Sequence, residues 1–479
     1  MPPVRFTLFI MLMAVGAGVA AISSAGPQFE LVQPELFGAS GGQPNAWADV
    51  DGDGDLDEFV GFAAGKPNRL YRNDKGIFVE VAAAAGVADL TDTRAAAWGD
   101  FDGDGRVDLY VGFTRRSEAR NRLYRNVTAG GSIRFVDVAA EVGVDAIGET
   151  RQVSWIDYDN DGDLDLFVAF RDAPNMLFRN DGGHFTSVGR ELGVDDPRRT
   201  VGAVWFDFDG DGDLDVFTAN QNGDANGMWR NDGSRFVDVA HDLGMDAPGR
   251  PETAGSNGPS VVDVDNDGDL DLFVASYGSN FFYRNDGGGR FTEIAAQLGL
   301  AGGDKATPSR WGDYDNDGRP DLYVSSYIDQ PLKEHDFLFH HEGSRFADVR
   351  TALGLTLGAT HGVQWVDFDG DGDLDLALAN NNPNGAHPLY RNLLKKGSST
   401  RSVSVPPKDQ KGRLRKPGTE VRVYAAGTRR LLGMGMFDTG SGYCSQNVMP
   451  VHIGLGSYAG RLDIQIREMP PPPGSRAGP

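Results

Sequence analysis

The feature that most constrains this chain is one acidic sentence written seven times. It reads "WADVDGDGDLDEFVG" from Trp47, "WGDFDGDGRVDLYVG" from Trp98, "WIDYDNDGDLDLFVA" from Trp155 and "WFDFDGDGDLDVFTA" from Trp205. It returns as "VVDVDNDGDLDLFVA" from Val261, "WGDYDNDGRPDLYVS" from Trp311 and "WVDFDGDGDLDLALA" from Trp365. The first aspartates lie 51, 57, 50, 56, 50 and 54 residues apart. A fixed period of that size is the signature of a repeat architecture, with room for about four short strands per unit.

The rest of each unit repeats as well. An aromatic segment such as "LYRND" (70–74), "LFRND" (177–181) or "MWRND" (228–232) follows each loop, then an alternating one such as "FVEV" (78–81) or "FTEI" (291–294). Asn, Asp and Gly between them favour a tight hairpin. Each unit reads strand, acidic loop, strand, strand, turn, strand, with no long helical pattern. The expected fold is therefore all-β: a seven-bladed β-propeller of four-stranded antiparallel blades, followed by a small C-terminal β domain. The "FELV" segment (29–32) precedes the first loop, and none follows the seventh "LYRN" at once, so the N-terminal strand is expected to close the last blade. An open array is the alternative, and it would leave a bare edge at each end.

Superimposed, the seven loops obey one rule. Positions 1, 3, 5 and 9 are always Asp: Asp49, Asp51, Asp53 and Asp57 in the first copy, then Asp100, Asp102, Asp104 and Asp108. The third and fourth copies supply Asp157, Asp159, Asp161, Asp165, Asp207, Asp209, Asp211 and Asp215. The last three supply Asp263, Asp265, Asp267, Asp271, Asp313, Asp315, Asp317, Asp321, Asp367, Asp369, Asp371 and Asp375. Position 6 is always Gly and position 4 is Gly or Asn, residues that accept a left-handed backbone. Position 7 is Asp55, Arg106, Asp163, Asp213, Asp269, Arg319 or Asp373, so the site uses its backbone carbonyl there.

Carboxylates this close repel unless a cation joins them. Alternate oxygens, a carbonyl and a closing carboxylate around a Gly turn form a hard oxygen cage that suits Ca²⁺ better than Mg²⁺, with up to seven ions. Without Cys or His in the loop, zinc is disfavoured. The loop is not an EF-hand, which closes with Glu at position 12 and is flanked by helices. A catalytic acid pair is built once, in a cleft, and disorder is excluded by the Val, Phe, Leu and Trp on either side.

A DxDxDGxxD loop before an "LDLFVA" strand resembles the FG-GAP (VCBS) repeat, best known from the integrin alpha-subunit propeller. The resemblance covers about residues 29–392 and implies Ca²⁺ in loops between the first and second strands of a blade. Beyond it, "GSGYCSQ" (440–446) and "HIGLG" (452–456) are similar to the ASPIC/UnbV domain that follows such repeats in the cartilage acidic protein family and its bacterial relatives. The expected organisation is a signal peptide at 1–25, the propeller at 26–394, a linker at 395–409, the β domain at 410–467 and a Pro-rich disordered tail at 468–479.

The N-terminus carries Arg5, the apolar run "FTLFIMLMAVGAGVAAI" and then "SSAG", which reads as an export signal cleaved after Ala25 or as an uncleaved anchor. Export to the periplasm, cell surface or medium is expected, with no other membrane contact. A formal net charge of −24 argues against nucleic acid. The expected state is a monomer.

Six residues before each first aspartate stand Gln43, Arg94, Arg151, Val201, Asn257, Thr307 and His361. Mostly polar and unlike one another, they are expected at the channel mouth on the face away from the loops, as a ligand site or a solvated rim. The repeated Trp is expected in blade-to-blade packing, Cys444 as a small buried residue, and His340–His341 as surface variation rather than zinc ligands. The favoured function is a non-enzymatic exported calcium-binding scaffold for an extracellular protein or glycan, in adhesion for example. The alternative is a polysaccharide lyase or glycosidase acting at the channel mouth, with His361, Arg94 and Arg151 as its best candidates.

Overall fold

The computed structural model describes residues 29–115, 118–302, 305–326, 336–353, 355, 360–381, 385–441 and 444–469. The expected signal segment and nearly all of the tail lie outside them. Among the described residues, the repeats form seven antiparallel sheets with four blade strands each. In the first sheet these are Gly42–Ala48, Asp57–Phe62, Arg69–Asp74 and Ile77–Glu80. The first strand of each sheet packs on the first strand of the next, and Thr360–Val366 packs back on Gly42–Ala48, which closes the ring.

Phe29–Val32 pairs with Leu389–Asn392, so one sheet is built from both ends of the repeat region. That is the closure expected from "FELV", and it leaves no unpaired edge at the joint.

The first and second strands are buried along almost their whole length, as in Thr150–Ile156 and Asp165–Phe170. The repeated Trp lies between blades, as expected. Trp155 stacks on Phe101 at 6.3 Å and meets Tyr110 edge-on, and Trp205 meets Phe167 edge-on at 5.3 Å. Gly99 makes room for the next blade's indole: a Cβ there would stand 2.6 Å from Trp155.

Two features were not expected. Four sheets are followed by a single helical turn, Ala82–Ala85, Ala139–Val142, Gly189–Leu192 and Ala295–Leu298. Each ends on a left-handed glycine whose N–H bonds back to the turn, a C-terminal cap that other residues adopt at a cost. Every first strand also carries a register shift near its start, between Gly42 and Asn45, Thr93 and Ala95, Thr150 and Gln152, and Thr200 and Gly202. The shifts continue between Ser256 and Gly258, Ala306 and Ser309, and Thr360 and Gly362.

The C-terminal segment is a separate β unit whose core includes Val405, Val421, Val423, Phe437, Val451 and Ile453. Glu420–Ala425 lies between Leu431–Met436 and Leu462–Arg467, and Arg401–Val405 pairs with Val451–Gly456. The stretch expected to be a linker at 395–409 thus contains a strand, because "RSVSV" alternates and buries Val405.

From this unit, residues 438–441 and 444–448 reach into the centre of the ring. Ser445–Gln446 runs parallel to Thr93–Gly99 as a fifth strand. Ala96 N–H donates to the Cys444 carbonyl (2.9 Å), Trp155 N–H to Gln446 Oε1 (2.6 Å) and Trp47 N–H to Asn447 Oδ1 (2.9 Å). Trp205 N–H donates to Thr439 Oγ1 at 3.2 Å. Inner-edge amides that a bare channel would leave to water therefore find protein partners in four blades. Cys444 is buried here, as expected.

Candidate metal centre

Each acidic loop leaves the first strand and enters the second, so all seven lie at one end of the ring and the register shifts at the other. Within a loop the aspartates do different work. Position 1 accepts backbone N–H groups from the turn: Gly210 and Gly212 donate to Asp207 at 2.7 and 3.0 Å, and Asp371 and Gly372 to Asp367 at 3.0 Å each. Position 5 accepts the N–H of position 7, as Asp211 does from Asp213 (3.0 Å) and Asp104 from Arg106 (2.9 Å). This contact is indifferent to the side chain at position 7, which explains why Asp and Arg alternate there.

Position 9 is buried in every copy. In the fourth blade, Asp215 Oδ1 accepts the Asn231 N–H (2.7 Å) and Oδ2 the Phe208 N–H (3.2 Å), tying the loop to the third strand. Burial pushes Asp57, Asp108 and Asp271 up to about 8, Asp165 to about 9, and Asp215 and Asp375 well above the carboxylate range. Burial, with help from neighbouring carboxylates, also raises Asp263 to about 7 and Asp159 to about 6.

These groups could hold a cation. Carboxylate oxygens of Asp49, Asp51 and Asp53 lie within 4.8 Å of one another, as do those of Asp100, Asp102 and Asp108, of Asp157, Asp159 and Asp165, and of Asp207, Asp209 and Asp215. Asp51 Oδ1, Asp157 Oδ1 and Asp369 Oδ1 are buried without a hydrogen-bond donor. Orphaned acceptors in an oxygen-only set fit a hard divalent ion, whose charge would also reverse the electrostatic penalty.

The aromatic segment after each loop holds residues whose role the sequence did not disclose. Arg125 pairs with Asp102 (3.1 Å) and Arg391 with Asp369 (2.8 Å). The next residue is an interblade staple. Asn180 Nδ2 donates to Leu164 O of its own blade (2.9 Å) and Phe101 O of the preceding one (2.8 Å). Asn73, Asn126, Asn231, Asn285 and Asn392 also reach a carbonyl of the preceding blade, at 2.7–3.0 Å. In the sixth blade His340 and His341 replace this pair. They are not surface variation: His341 is buried, and His340 Nδ1 lies 3.1 Å from Asp321 Oδ1 and 3.7 Å from Asp315 Oδ2.

The C-terminal unit sits on the acidic face. Lys416 bonds Asp157, Lys396 bonds Asp373, Lys408 approaches Asp49 (3.6 Å) and Arg467 approaches Asp207 (3.8 Å). Arg422 donates to Gly268 O at 2.8 Å, and His452 Nε2 lies 2.7 Å from Asn316 Oδ1. Residues 391–430 hold 12 Lys/Arg against 2 Asp/Glu, a basic run facing an acidic ring, and that complementarity was the available signal.

On the opposite face, the expected mouth residues coincide with the register shifts. Arg151, Val201, Asn257 and His361 are each the extra residue of a bulge, and Arg94 is another. Bulges re-aim side chains, and here they turn most of the ring inward. Gln43, Arg151, Asn257, Thr307 and His361 are buried, and Arg94 is half-buried. Gln43 donates to Asp92 (2.8 Å), Arg151 to Glu149 (2.9 Å) and Asn257 to Ala306 O (3.0 Å), while Thr307 Oγ1 lies 3.1 Å from Ser325 Oγ. His361 Nε2 lies 3.1 Å from Asn381 Nδ2. Most of them are thus buried rather than an open rim, with Gln43 and Asn257 bonded across to the next blade, which corrects the expected exposure. The accessible surface nearby is a charged cleft of about 580 Å³ lined by Arg115, Glu149, Arg171, Asp172 and Arg199. Among the described residues, no helix is long and apolar enough to cross a membrane.

Family models match both the repeats and the C-terminal unit. A model of the FG-GAP-like repeat matches residues 49–111, 157–218, 207–274 and 263–324, and a model described as ASPIC and UnbV matches 413–467. Cartilage acidic protein 1 of Mus musculus is 38% identical over 119 residues, covering 24% of this chain, and that of Homo sapiens is 37% identical over the same length. The chain thus spans less than a fifth of the length of these relatives, 18% and 17%. Among solved structures, an Agrocybe aegerita lectin described as recognising non-reducing terminal N-acetylglucosamine aligns with a TM-score of 0.41 and 16% identity, over 77% of this chain and 94% of that one.

Proposed function

From a chain that carries FG-GAP-like repeats and an ASPIC and UnbV domain, we propose a non-enzymatic, exported, calcium-binding scaffold that binds an extracellular protein or glycan. The carrying observation is an asymmetry between the two faces. The acidic face is covered by the chain's own C-terminal unit, through Lys416, Lys396, Lys408 and Arg422, and is committed to internal contacts. The opposite face keeps an open cleft in which Arg115, Arg171 and Arg199 alternate with Glu149 and Asp172, a pattern suited to polar recognition.

Calcium, when bound, supplies charge that lets the converging carboxylates of each loop remain ionised. The chain's residues do the rest. Position 1 orders the turn, position 9 ties it to the third strand, and the buried Trp and Asn staples lock neighbouring blades. A rigid disc of this kind presents loops at low entropic cost on binding.

The test is a screen of calcium-loaded protein against glycans and extracellular proteins, repeated with Arg115→Glu/Arg199→Glu. Binding that survives the double variant unchanged refutes the cleft. Release of cleaved products from a polysaccharide refutes the non-enzymatic reading and establishes the lyase or glycosidase.

A further inference from the structure

Six blades place an arginine beside the acidic loop: Arg72, Arg125, Arg179, Arg230, Arg284 and Arg391. A guanidinium is a donor only; it can neutralise a carboxylate but never ligate a metal. The sixth blade has His340 at this position, and an imidazole carries a lone pair that can ligate. A ring nitrogen of His340 and carboxylate oxygens of Asp315 and Asp317 lie within 4.8 Å of one another, a mixed nitrogen and oxygen set.

A second difference in this blade points the same way. In the other six, both oxygens of the position 9 aspartate accept backbone N–H groups, as Asp108 does from Asn126 (2.7 Å) and Phe101 (3.2 Å). Asp321 has no exposed surface, and its Oδ1 takes the His341 N–H at 2.8 Å. Its Oδ2, however, is buried with no partner. Asp313 and Asp315 are among its charged neighbours, and His340 Nδ1 lies 3.1 Å from its Oδ1. A fully buried carboxylate oxygen with no hydrogen-bond partner, on a residue that also meets the imidazole, suits a further metal donor.

Resting on the reading that these loops hold divalent cations, we propose that the sixth loop is a transition-metal site of the zinc and cobalt class. His340, Asp315, Asp317 and Asp321 would be its protein donors, while the other loops select calcium. Imidazole nitrogen is a favourable donor to borderline dications and a poor one to Ca²⁺, so this single substitution changes the preference of an otherwise identical loop.

The test uses the full chain, dialysed with excess Ca²⁺ and a limiting amount of Co²⁺, with bound metals counted by elemental analysis and the cobalt environment read from its visible absorption. The expected result is one tightly held Co²⁺, displaced by Zn²⁺ and not by Ca²⁺, with nitrogen ligation in the spectrum. His340→Arg, which restores the residue of the other blades, should weaken Co²⁺ binding by at least about 10–100-fold while the calcium count stays within one ion of wild type. Should that variant fail to fold, His340→Gln offers an oxygen in place of the nitrogen and should turn the site over to calcium. Co²⁺ that binds both variants as tightly as wild type, or that Ca²⁺ displaces stoichiometrically, overturns the proposal and leaves the calcium reading standing. A protein that binds Co²⁺ at one site and calcium at none refutes the calcium reading alone.

Discussion

Replacing Asn180 by Ala should show what the residue after the repeated arginine contributes. The side chain is fully buried and makes three bonds: Nδ2 to Phe101 O at 2.8 Å, Nδ2 to Leu164 O at 2.9 Å, and the Gly183 N–H to Oδ1 at 2.7 Å. Truncation removes all three bonds and leaves two carbonyls and one N–H behind. At about 1 kcal/mol net per bond the loss is ~3 kcal/mol, rising toward ~6 kcal/mol if water cannot reach the orphaned groups. With an unfolding entropy of about 2.1 cal/mol/K per residue, the 479-residue chain shifts by roughly 1 °C per kcal/mol. Calorimetry of calcium-loaded protein should therefore show a Tm lowered by about 3–6 °C. The sixth blade is a built-in control: His341 occupies the staple position, so His341→Asn should be neutral or stabilising. A change below about 1 °C in N180A, which is the size of a single ordinary surface substitution, would refute the staple.

Removing calcium with a chelator should lower the Tm by about 3 °C for each loop that had been filled at a hundred times its Kd, each worth about 2.7 kcal/mol; an unchanged Tm would end the structural-metal reading. Gly99→Ala places a Cβ 2.6 Å from the Trp155 indole, so denaturant unfolding should show a loss of about 1–3 kcal/mol. The His387 ring gives a pH test. Its Nδ1–H donates to Ala39 O at 2.8 Å, its Nε2 accepts the Tyr71 hydroxyl at 2.6 Å, and burial lowers its pKa to about 4. Because the folded pKa is depressed, the unfolded chain takes up the proton first as pH falls. Stability should be full above about 6.5 and drop, by on the order of 3 kcal/mol, between there and about 4. His387→Gln should flatten that part of the stability curve relative to wild type.

Much of the fold was readable because the repeat aligns itself. Seven copies of Asp and Gly, with Trp in six of them, at fixed offsets placed the strand ends and the acidic loops, and the stray "FELV" placed the closing strand. What escaped reading was information carried by position rather than residue type. The bulge at Arg151 or Val201 has no side-chain signature, since the extra residue is Arg, Val, Asn or His in different blades. The channel mouth was therefore placed at the correct end, with the wrong exposure. The Asn of "LYRN" read as a turn residue because its partner carbonyl lies 73–79 residues earlier in five of the blades. The basic run before the C-terminal unit read as a linker because its acidic partners are distant in the chain, as Lys408 is from Asp49 at the first blade.

The insertion at the centre of the ring also sets a timetable. The Trp47 amide waits for Asn447, 400 residues further along. At about 5–20 residues per second of synthesis, that wait is roughly 20–80 s. The Trp155 and Trp205 amides wait 291 and 234 residues. A nascent ring can thus close its outer sheets early, yet its inner wall stays open until the last blade has been made. The segment that completes the wall follows all seven blades in the chain, so a stop placed between them would release a ring with an unfinished centre.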